Sequence, residues 1–140
     1  MKIVVAVDGS EISVRAARHA NLLAKSLAKP ARIFLVAVDP APFPGVVSRI
    51  GRESMDRIHA ENHERMLAPA RKALARSKAD VRELALVGEP AESLLAAARD
   101  NRADILVMGS HGRGAVKGIL LGSVSSKVIA QTDIPVTIVR

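Results

Sequence analysis

The chain has 140 residues and a formal net charge of +7, and 49% of its residues are apolar although only Phe34 and Phe43 are aromatic. This length suits one domain, residues 1–140, whose core needs no disulfides and is built from Val, Ile, Leu and Ala. The absence of cysteine excludes disulfide frameworks, zinc–thiolate sites and thiol nucleophiles.

Five strands and four helices are predicted to alternate along the chain. Continuous apolar runs of strand length indicate strands buried on both faces, and apolar residues spaced three or four apart indicate amphipathic helices. In chain order these are a strand at 3–7, a helix at 11–28, a strand at 33–38, a helix at 52–77, a strand at 81–87, a helix at 90–101, a strand at 105–108, a helix at 123–132 and a strand at 135–139.

This alternation predicts an α/β fold with an open five-stranded parallel sheet and helices on both faces. Ligands of such sheets bind at the carboxyl ends of the strands, where the strand order reverses. Asp8 follows the first strand, and a glycine-rich stretch follows the fourth. If these two strands are neighbours, both loops face one crevice.

No membrane-spanning or export segment is predicted. The apolar run after Lys2 is interrupted at Asp8, so it is shorter than the core of a signal peptide. No apolar run approaches the ~18 residues that a membrane helix needs. We therefore expect a soluble cytoplasmic protein with no membrane partner.

The basic charge is concentrated between Arg49 and Lys78, where eight Lys and Arg residues accompany four Asp and Glu residues. Such a balance indicates either a polyanionic partner or a solvated helix face, and we favour the solvated face. Two phenylalanines are too few to form a platform for stacking bases. Nucleic acid is therefore not the favoured partner.

The stretch from Gly109 to Ser123 holds five of the nine glycines. It is not a P-loop, because no lysine stands between Gly122 and Ser123, and it is not a dinucleotide fingerprint, because Lys117 replaces the third glycine. The remaining pattern is Gly109-x2-Gly112-x9-Gly122-Ser123. Bare amides and a helix N-terminus of this kind bind phosphates; the alternative is a loose surface turn.

The sequence resembles the universal stress protein family over its whole length. The resemblance rests on the segments 5–10, 88–91, 103–114, 122–125 and 134–139. Family members that bind ATP carry the pattern Gly-x2-Gly-x9-Gly-Ser/Thr, which this chain matches. The resemblance implies the adenine nucleotide α-hydrolase-like strand order 3-2-1-4-5, ATP with Mg²⁺ as ligand, and a homodimer joined through the last strand.

The resemblance also implies roles for individual residues. Asp8 would face the ribose or adenine, with Ala6, Val7 and the backbone of Ala37 near the base. Met108 would cover the base, and Arg113 is a candidate phosphate contact. The residues expected to hold the ribose and phosphates are Gly109, Gly112, Gly122, Ser123 and Val124.

No convincing set of catalytic residues stands out, so we expect a binding module that hydrolyses ATP slowly at most. His111 could orient a water, but we favour a solvated loop histidine, and Lys117 could reach a phosphate but lies within the glycine-rich stretch. His59 and His63 lack the glutamate placement of a zincin, and we expect them on a solvated face. Two alternatives stay open: an interaction or RNA-associated module, and an adenylyl-transferring enzyme.

Overall fold

The computed structural model describes residues 1–112, 114, 118 and 120–140. Its elements, in chain order, are β1 (Lys2–Ala6), α1 (Glu11–Lys25), β2 (Arg32–Asp39), α2 (Val46–Ile50), α3 (Arg52–Ala73), β3 (Asp80–Val87), α4 (Pro90–Asp100), β4 (Ile105–Gly109), α5 (Ser123–Gln131) and β5 (Val136–Val139). All nine predicted elements are present, and the short helix α2 was not predicted. The predicted helix at 52–77 ends four residues early.

The five strands form one parallel sheet in the order β3-β2-β1-β4-β5, which confirms the predicted fold class. Strand order reverses at β1, since β2 lies on one side of it and β4 on the other. In the register of the central pair, Val5 lies beside Val107. The carboxyl ends of β1 and β4 are therefore neighbours. This is the arrangement in which Asp8 and the glycine-rich stretch can face one crevice.

Two apolar cores cover the two faces of the sheet. On one face α1 and α3 pack on alternate residues of β1 and β2, including Val5 and Leu35. On the other face α4 and α5 pack on the remaining residues, including Val4 and Val36. Every residue of β2 after Arg32 is buried, which is why this strand has no alternating polar pattern.

The helices begin at residues that the sequence marks. Ser10 caps α1, with its hydroxyl accepting from the backbone N–H of Ser13 at 3.2 Å. Glu89 caps α4, and Pro90 occupies the first helical position, where a missing N–H costs nothing. Among the described residues, no helix is both long enough and apolar enough to span a membrane.

Candidate functional site

A cavity of about 450 Å³ opens at the carboxyl edge of the sheet, where strand order reverses between β1 and β4. It is the position at which parallel α/β sheets bind their ligands. Nine of the eleven site residues expected from the sequence line this cavity: Ala6, Val7, Asp8, Met108, Gly109, Gly112, Gly122, Ser123 and Val124.

Part of the cavity wall is apolar, and of its residues only Met108 was predicted. Val36 and Val38 of β2, Leu94 of α4 and Met108 of β4 line it, and all four are buried in the core under α4 and α5. Pro40 and Met66 also line it. The alternation of side chains along β2 could have indicated Val36 and Val38, because they share a face with Ala6.

Ala37 does not line the cavity, unlike its two neighbours on β2. Its side chain is fully buried on the opposite face of the sheet, in the core under α1 and α3. Successive strand residues point to opposite faces, so residues 36 and 38 meet the cavity where residue 37 cannot. The expected contact of its backbone with a base stays a prediction.

Asp8 is held at the carboxyl end of β1 by the start of α1. Its Oδ1 accepts from the backbone N–H of Ser10 at 2.9 Å, and its own N–H donates to Oγ of Ser13 at 3.4 Å. Its Oδ2 lies 3.1 Å from the point where a β-carbon on Gly112 would stand. Glycine at position 112 thus lets the β4 loop approach this carboxylate closely.

The loop after β4 is tied back to its own beginning. The N–H of Gly122 donates to the carbonyl of Ser110 at 2.7 Å, and Oγ of Ser125 donates to the same carbonyl at 3.0 Å. Ser110 is itself fixed to β5, because its N–H donates to the carbonyl of Val139 at 2.8 Å. These bonds set where α5 begins relative to the sheet.

The N-terminus of α5 faces the cavity without a side-chain cap. Ser123, Val124 and Ser125 line the cavity, and the first backbone bond of the helix runs from the N–H of Ser126 to the carbonyl of Gly122 at 3.0 Å. Gly122, the N-cap residue, has no side chain to accept from the helix. The first N–H groups of α5, with the positive end of its dipole, are thus directed at the cavity.

The fold makes different demands on two glycines of the motif. A β-carbon on Gly109 would collide with Cγ2 of Ile12 in α1, so the packing of α1 on β4 demands glycine there. A β-carbon on Gly122 would meet its nearest atoms at 3.5 Å, an ordinary contact, and φ at this residue is −74°. The fold itself therefore does not demand glycine at 122; a ligand at the helix start would exclude only a side chain that caps the helix there.

The sequence indicates three further residues of the loop after β4 for phosphate chemistry. His111 lines the cavity, and its Nδ1 lies 2.9 Å from Oγ of Ser110. The predicted phosphate contact of Arg113, and Lys117 with it, lie outside the described residues.

His59 and His63 are not on a solvated face, and that expectation was wrong. Nδ1 of His59 lies 2.6 Å from Oδ2 of Asp39, the last residue of β2, and the exposed fractions of the two side chains are 12% and 11%. Nε2 of His63 donates to the carbonyl of Leu86 at 2.8 Å. The histidines face inward because they bond α3 to the ends of β2 and β3. Within the described part of the chain, no group of three or more His, Asp or Glu side chains is arranged to hold a metal.

Asp39 is a buried carboxylate that is hydrogen-bonded to His59 and Asn62 of α3. Burial alone would raise its pKa, but hydrogen bonds from Asn62, at 2.9 Å, and from His59 outweigh burial and lower the pKa below 3.8. Asp39 directly precedes Pro40, which lines the cavity. The hydrogen bonds of Asp39 with His59 and Asn62 therefore fix α3 beside the cavity wall.

Comparison with known proteins identifies the relatives of this chain. The model of the universal stress protein family matches residues 1–140. A universal stress protein of Thermus aquaticus is 38% identical over 138 residues, which are 99% of this chain and 97% of that protein. The universal stress protein MJ0531 of Methanocaldococcus jannaschii is 32% identical over 140 residues, 99% of this chain and 81% of that protein.

Solved structures resemble the fold over its full length. The protein MJ0577 of Methanocaldococcus jannaschii superposes with a TM-score of 0.84 at 30% identity, covering 99% of this chain and 94% of that one. A universal stress protein in complex with cAMP has a TM-score of 0.62 at 30% identity, covering 100% and 96%. One from Archaeoglobus fulgidus in complex with dAMP has a TM-score of 0.66 at 26% identity, covering 100% and 98%.

Proposed function

The chain belongs to the universal stress protein family, and we propose that it is an ATP-binding member that acts as a nucleotide-dependent regulatory module in a stress response. ATP, together with Mg²⁺, occupies the cavity between β1 and β4 in this proposal. Two similar proteins, solved with cAMP and with dAMP, support an adenine nucleotide as the ligand class.

Different parts of the cavity suit the base, the ribose and the phosphates of a nucleotide. The apolar wall of Val36, Val38 and Met108 suits the flat, apolar faces of adenine. Asp8 suits the ribose, because a carboxylate accepts from two hydroxyl groups. The start of α5 suits the phosphates, since its first N–H groups and dipole favour negative charge.

The observation that carries the proposal is the uncapped start of α5 beside a glycine that the fold does not require. A capping side chain at residue 122 would accept from these N–H groups and stabilise the helix by roughly a few tenths of a kcal/mol relative to glycine. Gly122 provides no such side chain, and it lies where the helix meets the cavity. Binding of a polyphosphate at these N–H groups accounts for the absence of a capping side chain at residue 122.

We propose a regulatory rather than a catalytic role. Phosphoryl transfer needs a positioned nucleophile and groups that neutralise developing charge. Oδ1 of Asp8 accepts from the N–H of Ser10, and Nδ1 of His111 lies beside the hydroxyl of Ser110. Residues fixed by such bonds suit the binding of a ligand. In this proposal ATP hydrolysis is therefore slow at most.

The proposed module is a homodimer joined through β5 and also has a protein partner whose affinity depends on ATP. β5 is an edge strand with all four residues partly exposed. Such an edge offers unpaired backbone groups to a second copy. The carbonyl of Pro135 accepts from Leu106 of β4, and that of Val139 accepts from Ser110 just beyond β4. Of the residues between them, alternate ones therefore direct their backbone groups toward the free edge.

Mass spectrometry of the small molecules released by denaturing the purified protein tests the proposal directly. Isothermal titration of the stripped protein with ATP, ADP, AMP and cAMP then ranks the ligands. We expect an adenine nucleotide to co-purify and ATP to bind more tightly than AMP, because the helix start contacts the added phosphates. Absence of adenine nucleotide binding in both measurements would refute the proposal.

A further inference from the structure

The net charge of the chain is gathered at the edge of the sheet opposite the cavity. This amino edge consists of the chain start and the four connections from a helix to the next strand. Taken with three residues of each flanking element, these are residues 1–4, 23–34, 71–82, 98–107 and 129–138. They contain eleven Lys and Arg residues and four Asp residues, an excess equal to the formal net charge of +7. The rest of the chain holds ten residues of each sign.

The densest part of this edge lies where α1 and α3 end side by side. Oγ of Ser77 donates to Oδ1 of Asn21 at 2.7 Å, which joins the turn after α3 to the last turns of α1. The sequence carries no acidic residue over 12–38 or over 65–79. Five exposed cations therefore lie together here without an intervening acid: Lys25, Lys29, Lys72, Arg76 and Lys78.

Helix dipoles explain only part of this cluster, which we call the amino-edge cluster. Lys25 and Lys72 stand in the last turns of α1 and α3, where a cation complements the negative end of the helix. Lys29, Arg76 and Lys78 lie three or more residues beyond the helix ends, outside the last turn to which this effect is confined. Asp80 is engaged elsewhere, by Arg32 at 2.6 Å and by Arg82 at 2.8 Å.

We propose that the amino-edge cluster binds the phosphate backbone of a nucleic acid duplex without reading its sequence. Neutralising phosphates with Lys and Arg supplies sequence-independent affinity. A duplex fits better than a single strand, because the cluster contains no aromatic side chain on which bases could stack. A bilayer fits less well. Of the described large apolar side chains that are exposed, Met1 and Ile129 lie at this edge and Leu22 lies beside it, whereas the other six lie elsewhere: Phe43, Val47, Ile50, Ile58, Val87 and Leu120.

This inference is independent of the proposed nucleotide site. The strands place the two edges about 20 Å apart, and none of the five cations lines the cavity. ATP and the duplex should therefore bind without competing.

The test measures fluorescence anisotropy of a labelled duplex of about 20 base pairs, as DNA and as RNA, between about 50 and 200 mM salt. Lys29→Glu with Lys78→Glu forms the test variant. Arg49→Glu with Arg52→Glu is the matched control, because it makes the same charge change at exposed residues of the opposite edge. We expect the test variant to lose roughly tenfold or more in affinity and to lower the salt slope by about two.

Binding of either duplex with this pattern supports the proposal, and saturating ATP should leave the affinity unchanged. Three results would overturn it: no duplex binding by the wild-type protein, equal losses in the test and control variants, or displacement of the duplex by ATP. Tighter, equally variant-sensitive binding to phosphatidylserine vesicles would assign the cluster to a membrane surface and also overturn it.

Discussion

The backbone N–H of Gly122 donates to the carbonyl of Ser110 across 2.7 Å, and this bond closes the loop between β4 and α5. The N–H of this motif glycine is therefore satisfied within the fold. A phosphate at this end of the cavity has to bind the next N–H groups, those at the start of α5. The glycine contributes the absence of a side chain rather than a donor.

Gly109→Ala should destabilise the fold through α1. The added methyl group would collide with Ile12, and overpacking of this kind costs about 1–3 kcal/mol. In urea unfolding, Ile12→Ala combined with Gly109→Ala should be more stable than the sum of the single changes predicts. Gly114→Ala is the control, because open space surrounds that position. Additive effects at 109 and 12 would contradict the packing argument.

Asp39→Asn should lower stability at neutral pH by about 1–3 kcal/mol, the usual cost of losing hydrogen bonds to a charged group. Because the pKa of Asp39 is lowered in the folded protein, its ionised form stabilises the fold above the pKa of the unfolded state. The contribution is lost as the pH falls through the lowered pKa. The difference between wild type and variant in urea unfolding should therefore shrink below about pH 4, and exposed Asp56→Asn is the control. A difference independent of pH would argue against an ionised Asp39.

Thr137→Lys should convert the proposed dimer into monomers. A lysine in β5 would bring two like charges together where two copies pair, and lysine on an edge strand opposes further pairing. Sedimentation velocity measures the result, with circular dichroism to verify the fold. Val87→Lys at the other edge strand, β3, is the matched control and should leave the dimer intact. A dimer that survives Thr137→Lys would place the interface elsewhere.

Removing Mg²⁺ with a chelator should weaken ATP binding roughly tenfold, because Mg²⁺ binds mainly through the substrate's own phosphates. AMP, which lacks the β- and γ-phosphates, should bind equally well with and without the metal. Isothermal titration of both nucleotides makes the comparison. Equal Mg²⁺ dependence for the two would indicate a metal site made by the protein.

The sequence predicted the fold well because its signals are local and repeated. The buried parallel strands are uninterrupted apolar runs such as Ile3 to Val7 and Ile33 to Val38, and alternation with helices leaves few topologies. The cavity was located because Asp8 and the glycine stretch follow strands that prove to be neighbours. The helix α2 carries no comparable signal in its five residues.

Tertiary contacts account for what the sequence did not predict. His59 has polar neighbours in the chain, and its contact with Asp39, twenty positions earlier, depends on how α3 lies on β2. Pro40 and Met66 join the cavity for the same reason. The role of Gly109 against Ile12 is likewise invisible until α1 and β4 are packed.

The central claim is that the free N–H groups at the start of α5 hold the phosphates of ATP. Isothermal titration of ATP into Gly122→Asp tests it most directly, with Gly122→Ala as control because a β-carbon is accommodated there. Aspartate at this N-cap position would accept from those same N–H groups and repel the phosphates. The account predicts at least about a hundredfold loss of ATP affinity at undiminished thermal stability, with the alanine variant close to wild type. ATP affinity unchanged by the aspartate would contradict it.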